Sequence, residues 1–489
     1  MRFPRFTKYL ALTASLGLLG SCDDFLNVNQ SPNSVLNPQP TNILVSAETQ
    51  LSFLMGSDIH RYSSLFIQQF AGQGGLGTQT VEFDRYNITA TDINNLWRAN
   101  LYGGALADAQ KLITQTEGTS PAYSGIGKIM QGFLFAIAAD AFGDVPLEDA
   151  LKFEQNVKPR YQSSEAVYAG ALALLDAGIA DLGKSSTLKP GADDLIYNGN
   201  LDQWIRFANT VKLRLFIHHY PKLSSQATSR INALLTSNAL FMRNVGDNFQ
   251  MRFEATSGRQ NPIDQFENRR QSTFFPSTTL VNLMNSTNDP RRPAYFTFAP
   301  GSTTQYVGVQ NGTGVVQAVN FSRMNTYLRG SLTGTVYAGD APIRMFTYAE
   351  YQFILAEHNL RTGNAATART NFENGIRASM EMAGVATADF TTYVTTRSAA
   401  FAAATATNDA LRLLIEEKFI ANYGVAMEPW SDWRRTGFPS LSLASNAVLT
   451  RIPRILPYSD LERVTNPDNT PARTSNDLIT PKVFWDPGQ

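Results

Sequence analysis

Apolar residues recur at helical spacing along most of this chain. In the stretch 343–361 they are separated alternately by three and four residues, which places them on one helix face: Phe346, Ala349, Phe353, Ala356 and Leu360. The sequence at 362–364, Thr-Gly-Asn, predicts the end of this helix, because glycine readily takes the left-handed conformation of a cap. A second helix follows, with apolar residues four apart at Ala368, Phe372, Ile376 and Met380.

These two helices predict an αα-hairpin of about 40 residues, close to the tetratricopeptide unit of ~34 residues. The same spacing predicts further helices, through Val167, Ala171, Leu174 and Gly178, through Trp204, Phe207, Val211 and Leu215, and through Leu411, Ile415, Phe419 and Asn422. No regular internal repeat is detectable, so the hairpins do not by themselves establish a solenoid. The predicted fold is mostly α, with tetratricopeptide-like helical hairpins, long irregular loops and minor β-hairpins.

Long polar segments separate the predicted helices. Residues 301–340 are rich in Gly, Thr, Ser and Asn with interleaved Tyr and Val, and a short strand is expected at 314–319. Loops of this length are uncommon in compact domains unless they have a function. Residues 446–489 are proline-rich and irregular, which predicts a C-terminal segment wrapped over the helices.

The first 21 residues have the pattern of a secretory signal. Arg2, Arg5 and Lys8 form a basic segment, an apolar run follows at 9–19, and small residues precede Cys22. The run is shorter than the ~20 apolar residues that span a bilayer, and we find no longer run elsewhere. We therefore expect three parts: a signal at 1–21, a tether at 22–42 and a single helical domain at 43–489.

The sequence Leu19-Gly20-Ser21-Cys22 resembles the lipobox of bacterial lipoproteins, in which the cysteine is acylated after the signal is removed. The resemblance implies several acyl chains on Cys22, and two or more chains anchor a protein stably where one does not. The acidic residues at 23 and 24 resemble the surface-export signals of Bacteroidetes lipoproteins. Together they imply a lipid anchor in the outer membrane and exposure at the cell surface. An ordinary signal peptide with a chance cysteine is the alternative.

Charge and cysteine content exclude several classes of protein. The 489 residues include 41 basic and 41 acidic ones, and loss of the three basic residues of the signal leaves a net charge of −3. A nucleic-acid-binding protein should carry a basic excess to neutralise phosphates, so no nucleic-acid partner is expected. A hydrophobic content of 43% is too high for a disordered chain. Because Cys22 is the only cysteine, no internal disulfide can form.

Familiar catalytic and metal-binding motifs are missing from the sequence. It has no HExxH, GxSxG or P-loop motif, and its four histidines are interpreted as core or surface residues: His60, His218, His219 and His358. Residues 72–77 match GxGxxG, but a helix is predicted before them and none after, whereas a dinucleotide site needs a strand before and a helix after. We expect no enzyme activity, no metal and no cofactor.

Neighbouring carboxylates occur at Asp140 and Asp144 and at Glu148 and Asp149. A glycosidase needs two carboxylates at a set separation, which sequence spacing alone does not show. The position of Asp140 and Asp144 around Phe-Gly at 142–143 favours structural roles at a helix end and a turn.

A series of segments runs in order along most of the chain. They are DAFGDVP at 140–146, PRY at 159–161, DLIYNGN at 194–200, WIRFANTVKLRL at 204–215, DPR at 289–291, TYAEYQFILAE at 347–357, EEKFI at 416–420, EPWSDWRRTGFP at 428–439, IPRILPY at 452–458 and VFWD at 483–486. Together they resemble the SusD/RagB family of outer-membrane nutrient-binding lipoproteins, in particular its SusD-like branch.

This resemblance implies a helical scaffold facing a TonB-dependent (SusC-like) transporter barrel. The lipoprotein would capture an oligosaccharide, or a peptide, and pass it inward. Most residues of the matching segments are interpreted as structural. Trp430 and Trp433 are expected to pack in the core, and Arg434 and Arg435 to cap or pair with nearby carboxylates.

Two loops have the composition of a sugar-binding surface. Sugars present apolar C–H faces and many hydroxyls, so their sites need exposed aromatic rings among Asn, Gln, Asp or Arg side chains. One loop has Tyr86 with Glu82, Asp84, Arg85 and Asn87; the other has Tyr306, Asn311, Asn325 and Tyr327. We predict that Tyr86, Tyr306, Asn325 and Tyr327 contact the ligand. The alternative for each Tyr is packing on its own loop.

Two other functions are compatible with the sequence. The protein could be a surface-anchored glycan hydrolase that uses two loop carboxylates, or a structural subunit of the transporter that binds no ligand. Product formation from glycans on prolonged incubation would indicate the hydrolase. Saturable ligand binding by the isolated protein would argue against the structural subunit.

The lipid anchor is tested by Cys22→Ala. We expect this variant to leave the membrane fraction, because it removes the only thiol that can be acylated. The measurement is fractionation of cells that produce the parent or the variant protein. Persistent membrane association of Cys22→Ala would contradict lipid anchoring at this residue.

Overall fold

Amphipathic helices make up most of the described structure. The computed structural model describes residues 38–75, 77–314 and 320–488. The predicted signal, Cys22, most of the predicted tether and residues 315–319 of the predicted strand lie outside these ranges.

The helices follow one another along the whole described chain. Those of the first half are α1 Pro40–Gly56, α2 Asp58–Phe66, α3 Gln79–Asp84, a π-helix Asn95–Leu106 that runs into α4 Ala107–Thr116, α5 Pro121–Phe142, α6 Ser164–Leu182, α7 Leu201–His218 and α8 Tyr220–Leu235. Those of the second half are α9 Pro262–Arg269, α10 Thr278–Ser286, α11 Arg292–Tyr295, α12 Thr326–Arg329, α13 Tyr348–Arg361, α14 Ala365–Met382, α15 Thr387–Ala403, α16 Thr407–Ala421, α17 Glu428–Thr436 and α18 Asp460–Thr465. Short 3-10 turns lie at Phe153–Gln155, Val245–Asp247 and Asn476–Ile479.

Strands in the described ranges are short and form antiparallel pairs. These pairs are β1 Phe70–Gly72 with β3 Phe274–Pro276, β2 Phe249–Met251 with β6 Ile343–Phe346, and β4 Leu332–Thr333 with β5 Val336–Tyr337. The β4–β5 pair is a minor hairpin within the polar segment 301–340. The mostly α fold with small β elements is therefore confirmed.

The predicted helix at 343–361 begins later than its apolar pattern indicated. Residues Ile343–Phe346 form β6, and Thr347 caps α13 by accepting a hydrogen bond from the backbone N–H of Glu350 at 3.1 Å. A threonine cap followed three residues later by glutamate is a known helix start. The pattern was misleading because Phe346, a strand residue buried against α7, happens to continue the helical spacing of α13.

The predicted αα-hairpin is α13 and α14. Gly363 between them has a φ of +82°, the left-handed conformation that the cap requires. The helices α13 to α16 enclose a hydrophobic core of their own, which includes Phe353, Phe372, Ile376 and Leu414. A larger core lies among the helices α1 to α8 and the loops that cover them.

The most apolar helix, α5, is central to the larger core. By length and composition it alone among the described helices could cross a membrane, but 94% of its apolar 18-residue stretch is buried inside the fold. It crosses α6 at close range at Gly178. A side chain there would not fit, because its Cβ would lie only 2.6 Å from Ile129 Cγ1. The burial on all sides explains why α5 carries no polar face.

Two local features differ in detail from the expectations. The helix α1 begins at Pro40, inside the predicted tether at 22–42, because proline suits the first turn of a helix. The helix expected before the GxGxxG sequence ends at Phe66 and is followed by β1, and α3 begins after the sequence, where no helix was expected. However, β1 pairs antiparallel with β3, which is not the parallel βαβ unit of a dinucleotide site.

The two cores meet at a set of buried ionisable side chains, here called the buried ion network. Its members come from α7, α13, α16 and α17: Arg214, His218, Glu350, Glu357, Lys418, Glu428, Asp432 and Arg435. Arg214 Nε donates to Glu350 Oε1 at 2.6 Å, and Lys418 Nζ to Glu428 Oε1 at 2.6 Å. Each arginine, lysine and carboxylate of the network has a direct partner of opposite sign, which burial of an ion demands.

The C-terminal segment wraps over the helices, as the sequence predicted. Trp485 is fully buried, and its Nε1 donates to the Tyr168 hydroxyl at 2.8 Å. Trp430 is also buried, as expected. Arg435 pairs with carboxylates as predicted, whereas Arg434 donates mainly to carbonyl oxygens, including that of Asp140 at 2.6 Å.

The importance of the buried ion network is tested by Glu357→Gln. Glu357 Oε1 accepts from Arg435 Nη1 at 2.6 Å, and both side chains are no more than 1% exposed. Removing the carboxylate charge leaves Arg435 short of a partner, so the free energy of unfolding should fall by roughly 3–5 kcal/mol.

The matched control is Glu254→Gln, which breaks the exposed pair with Arg259. It should cost no more than about 1 kcal/mol, because solvent screens such a pair. Urea denaturation of the two variants measures the difference. Equal losses would show that the buried charges do not hold the two cores together.

Candidate ligand-binding site

The structure places the predicted ligand-contacting residues inside their own loops. Tyr86 is 1% exposed, packs edge-on to Phe66 at 6.1 Å and accepts a hydrogen bond from the Ala444 backbone N–H at 3.2 Å. Tyr306 is 9% exposed and lies 4.9 Å from the ring of Phe298. Neither tyrosine offers a free ring face for a sugar.

Tyr327 and Asn325 lie beside α11. The Tyr327 ring is 4% exposed and packs 4.5 Å from that of Tyr295. Asn325 is half-buried and donates to the Pro293 carbonyl at 2.8 Å, while its Oδ1 accepts from the Tyr337 hydroxyl. These residues and Tyr306 gather around α11, and Tyr86 lies apart from them.

The exposed aromatic surface expected from the three tyrosines is therefore not present in the structure. The rings are buried because each closes its own loop against a helix, which was the alternative interpretation. Alanine substitutions of the three tyrosines would consequently affect folding before they affected binding. A contact of these residues with ligand stays a prediction.

A buried carboxylate ties the two predicted loops together. Asp84 accepts hydrogen bonds from the backbone N–H groups of Gly72 at 3.0 Å and Gly312 at 2.6 Å, and from Asn311 Nδ2 at 2.5 Å. Burial raises the pKa of Asp84 to about 7, although these three donors counteract the shift. Asp84 and Asn311 are thus structural, and they hold the glycine-rich loop against the segment 301–340.

An open cleft lies next to this junction, between α2, α3 and α9. We call it the α2–α3–α9 cleft. It encloses about 390 Å³ and is lined by Phe53, Ser57, Asp58, Arg61, Gln79, Asp92, Asn95, Pro262, Gln265, Phe266, Arg269 and Arg270. A second hollow, lined also by Thr78, Thr80 and Thr273, shares Gln79, Phe266 and Arg270 with it, so the two are adjacent.

The local sequence explains how α9 presents its side chains to the cleft. Asn261 caps the helix by accepting from the Asp264 backbone N–H at 2.9 Å, and Pro262 occupies the first turn. Ile263 is buried on the inner face, whereas Phe266 is half-buried and Arg269 is exposed. The amphipathic helix therefore turns one phenyl ring and several polar groups outward.

Guanidinium groups surround the Phe266 ring. The Arg61 guanidinium lies 4.4 Å from the ring centroid and that of Arg270 lies 5.4 Å from it. Arg270 Nη1 donates to Gln79 Oε1 at 2.9 Å, and Arg61 pairs with Asp58. The cleft thus combines a half-buried aromatic ring with a dense set of hydrogen-bonding groups.

The carboxylates of the cleft are engaged in structural contacts. Asp58 pairs with Arg61, and Asp92 accepts from the backbone N–H and the hydroxyl of Thr89 at 2.8 and 2.7 Å. The pair singled out in the sequence is likewise structural. Asp140 accepts from the Tyr168 hydroxyl and Asp144 from the Ser164 backbone N–H.

The hydrogen-bond contacts of two histidines support a structural interpretation of these residues. His218 lies between the Tyr168 hydroxyl at 2.9 Å and Glu428 Oε2 at 3.1 Å, and His358 Nδ1 is 2.8 Å from the Tyr220 hydroxyl. In the described ranges, no group of three or more His, Cys, Asp or Glu side chains is arranged to hold a metal.

The sequence reasoning missed the α2–α3–α9 cleft. It sought exposed tyrosines in polar loops, whereas the cleft uses a phenylalanine on a short helix. A signal was available, because α9 has an unusually polar sequence in which Phe266 stands between Gln265 and a run of charged or amide residues.

Comparison with known proteins identifies the family. Residues 32–458 match the SusD-like family model described as "Starch-binding associating with outer membrane". This match covers most of the chain, which therefore belongs to the SusD-like branch of the SusD/RagB family. The family is one of binding proteins rather than enzymes and is associated with the outer membrane. Among curated proteins, none matches the sequence.

Solved structures share the fold. A SusD/RagB family protein from Bacteroides thetaiotaomicron is 21% identical with a TM-score of 0.76, covering 93% of this chain and 100% of its own. A SusD homolog from Bacteroides uniformis is 22% identical with a TM-score of 0.73, covering 91% and 99%. A chitin-binding SusD homolog from Flavobacterium johnsoniae is 20% identical with a TM-score of 0.73, covering 91% and 98%.

The raised pKa of Asp84 is tested by comparing how the free energy of unfolding of the parent and of Asp84→Asn depends on pH. An Asp whose folded pKa is about 7, against 3.8 ordinarily, stays protonated in the fold while the unfolded chain ionises. The free energy of unfolding of the parent should therefore fall, relative to the variant, as the pH rises from about 4 to about 7.

Urea denaturation at several pH values measures this difference, with Glu254→Gln as an exposed control. A parent that instead gains stability relative to Asp84→Asn over this range would contradict the raised pKa. It would show that the three donors keep Asp84 ionised.

Proposed function

We propose that this protein binds an oligosaccharide in the α2–α3–α9 cleft and delivers it to a TonB-dependent (SusC-like) outer-membrane transporter. One observation carries the proposal: arginine, glutamine, asparagine and aspartate side chains crowd a half-buried phenyl ring in an open cleft. This is the mixture of groups that a saccharide requires. Membership of the SusD-like family supports it.

The chemistry of the cleft suits a sugar in two respects. The part of the Phe266 ring that the two guanidinium groups leave uncovered can contact the apolar C–H groups of a pyranose, and Arg61 and Arg270 can donate to its hydroxyls. Gln79 and Gln265 offer both donors and acceptors, which a hydroxyl can match in either direction. A hollow of a few hundred Å³ is in the range of small-ligand sites.

The choice of glycan follows from the names of relatives. The family description includes starch, and one structurally similar protein binds chitin. Maltohexaose and chitohexaose are therefore the first ligands to test, with an unrelated peptide as the alternative nutrient. The ring and the donors of the cleft are compatible with either glycan.

Anchoring and partner complete the proposal. The lipobox-like sequence ending at Cys22 would place the protein on the outer membrane by its acyl chains, at the cell surface. From there it would cover the transporter barrel and release its ligand inward. Co-purification of a TonB-dependent barrel with the protein from native outer membranes would support this partner.

The alternative of a glycan hydrolase has less support. General acid–base catalysis needs two free carboxylates flanking the scissile bond, and Asp58 and Asp92 of the cleft already have partners. Product formation by the purified protein on prolonged incubation would nevertheless overturn the binding proposal.

The double variant Gln79→Ala, Arg270→Ala tests the placement of the ligand. Both side chains are exposed and line the cleft, so their loss should leave the fold intact. Loss of one charged and one neutral hydrogen bond should weaken glycan binding at least about tenfold. Isothermal titration of the chain from Asp23 to Gln489, which retains the whole described fold, provides the measurement.

The matched control is Arg377→Ala, which removes an exposed arginine on α14. It should bind the glycan as the parent does. If the double variant also binds with unchanged affinity, the ligand does not occupy the α2–α3–α9 cleft.

A further inference from the structure

A second cavity, remote in sequence from the cleft, lies between α6, α7 and α8. It encloses about 710 Å³, which is within the range of sites for small molecules. Its apolar walls include Leu172 on α6, Phe216 on α7, Leu234 on α8 and Phe484 from the C-terminal segment. Nothing in the proposed glycan function uses this cavity.

His219 is the unexplained residue of this cavity. It lines the cavity and is 3% exposed, yet neither of its ring nitrogens has a hydrogen-bond partner. The Gln226 side chain on the same wall acts on His219 as a weak hydrogen-bonding neighbour, but the contact does not have the geometry of a full hydrogen bond to either nitrogen. An unsatisfied buried polar group costs about 1–3 kcal/mol, so a ligand that supplies the missing partner would gain from it.

His219 differs in this respect from the two histidines described above. His218 and His358 each have partners at both ring nitrogens. Burial, together with the nearby charge of Arg230, lowers the pKa of His219 to about 4. At neutral pH the ring is therefore uncharged and offers one N–H donor and one acceptor nitrogen.

Arg230 supplies a positive charge in the same cavity as His219. It is exposed, lines the cavity, and its guanidinium lies 5.6 Å from the Phe216 ring centroid. Within the described ranges it makes no ion pair with a carboxylate. The neighbouring Lys212, by contrast, is paired with Asp176 at 2.6 Å.

We propose that this cavity binds a small organic carboxylate with an aromatic or branched aliphatic body. The carboxylate would pair with the Arg230 guanidinium, whose fork of donors matches its two oxygens, and accept from the His219 N–H. The body of the ligand would lie against Phe216, Phe484 and Leu234. The proposal is independent of the glycan site, since no lining residue is shared between the two.

A pair of probes with the same body tests the proposal: 2-naphthylacetate, which has a carboxylate, and 2-naphthylacetamide, which has none. Isothermal titration of the chain from Asp23 to Gln489 should show saturable binding of the acid and at least about tenfold weaker binding of the amide. Equal affinities would overturn the role of the carboxylate. Binding of neither probe would overturn the site.

Two variants locate the probe. Arg230→Gln should weaken binding of the acid about tenfold and leave that of the amide unchanged, because it removes only the charge. His219→Phe keeps an aromatic ring, removes both unsatisfied nitrogens, and should weaken binding of the acid while stabilising the fold in urea. Arg377→Gln on α14 is the control and should bind the acid like the parent.

Unchanged binding in both cavity variants would contradict the assignment. The probe could instead occupy the glycan cleft, which competition detects: saturation with a bound glycan should not displace 2-naphthylacetate from its own cavity. Displacement would place the probe in the α2–α3–α9 cleft and overturn the second site. If no glycan binds, the probe result still stands, so failure of the two proposals can be told apart.

Discussion

The bidentate contact of Arg214 with Glu350 is the interaction on which the two halves of the molecule depend. Its two donor–acceptor distances are 2.6 and 2.7 Å, and it joins α7 of the larger core to α13 of the helical hairpins. From Arg214 the ion pairs continue through Glu428 and Lys418 to Asp432, and from there through Arg435 to Glu357. A buried charge without a partner is so unfavourable that all of these helices must adopt one arrangement together. The network therefore specifies how the helices meet, while the apolar cores supply most of the attraction.

This arrangement leaves the proposed binding surface to elements that the network does not use. The helices α2, α3 and α9 are short and lie over the larger core, and Asp84 joins the loops beside them through three hydrogen bonds. Their polar side chains thus project from a supported backbone rather than from a free loop. Such support reduces the entropy lost when a ligand binds, which favours affinity.

Much of the fold could be predicted from the sequence, because helical periodicity reports burial directly. The faces through Trp204, Phe207 and Val211 and through Phe372 and Ile376 are buried as predicted. The start of α13 could not be predicted in the same way, because a residue in a strand can by chance continue a helical spacing. The real beginning is marked by Thr347 with Glu350 three residues later, and the hydrogen bond between them confirms it in the structure.

The candidate site was harder to predict from the sequence than the fold. A tyrosine in a polar loop has the same appearance in the sequence whether its ring faces solvent, as was predicted for Tyr86 and Tyr327, or closes the loop, as the structure has it. The cleft depends on residues far apart in the chain, such as Arg61 and Phe266, whose proximity only the tertiary fold creates.

The most direct test of the account is a crystal structure of the chain from Asp23 to Gln489 with whichever of maltohexaose and chitohexaose binds more tightly. The account predicts a sugar ring in the α2–α3–α9 cleft, in contact with Phe266 and hydrogen-bonded to Arg270. A glycan bound elsewhere on the protein, with the cleft free, would contradict it.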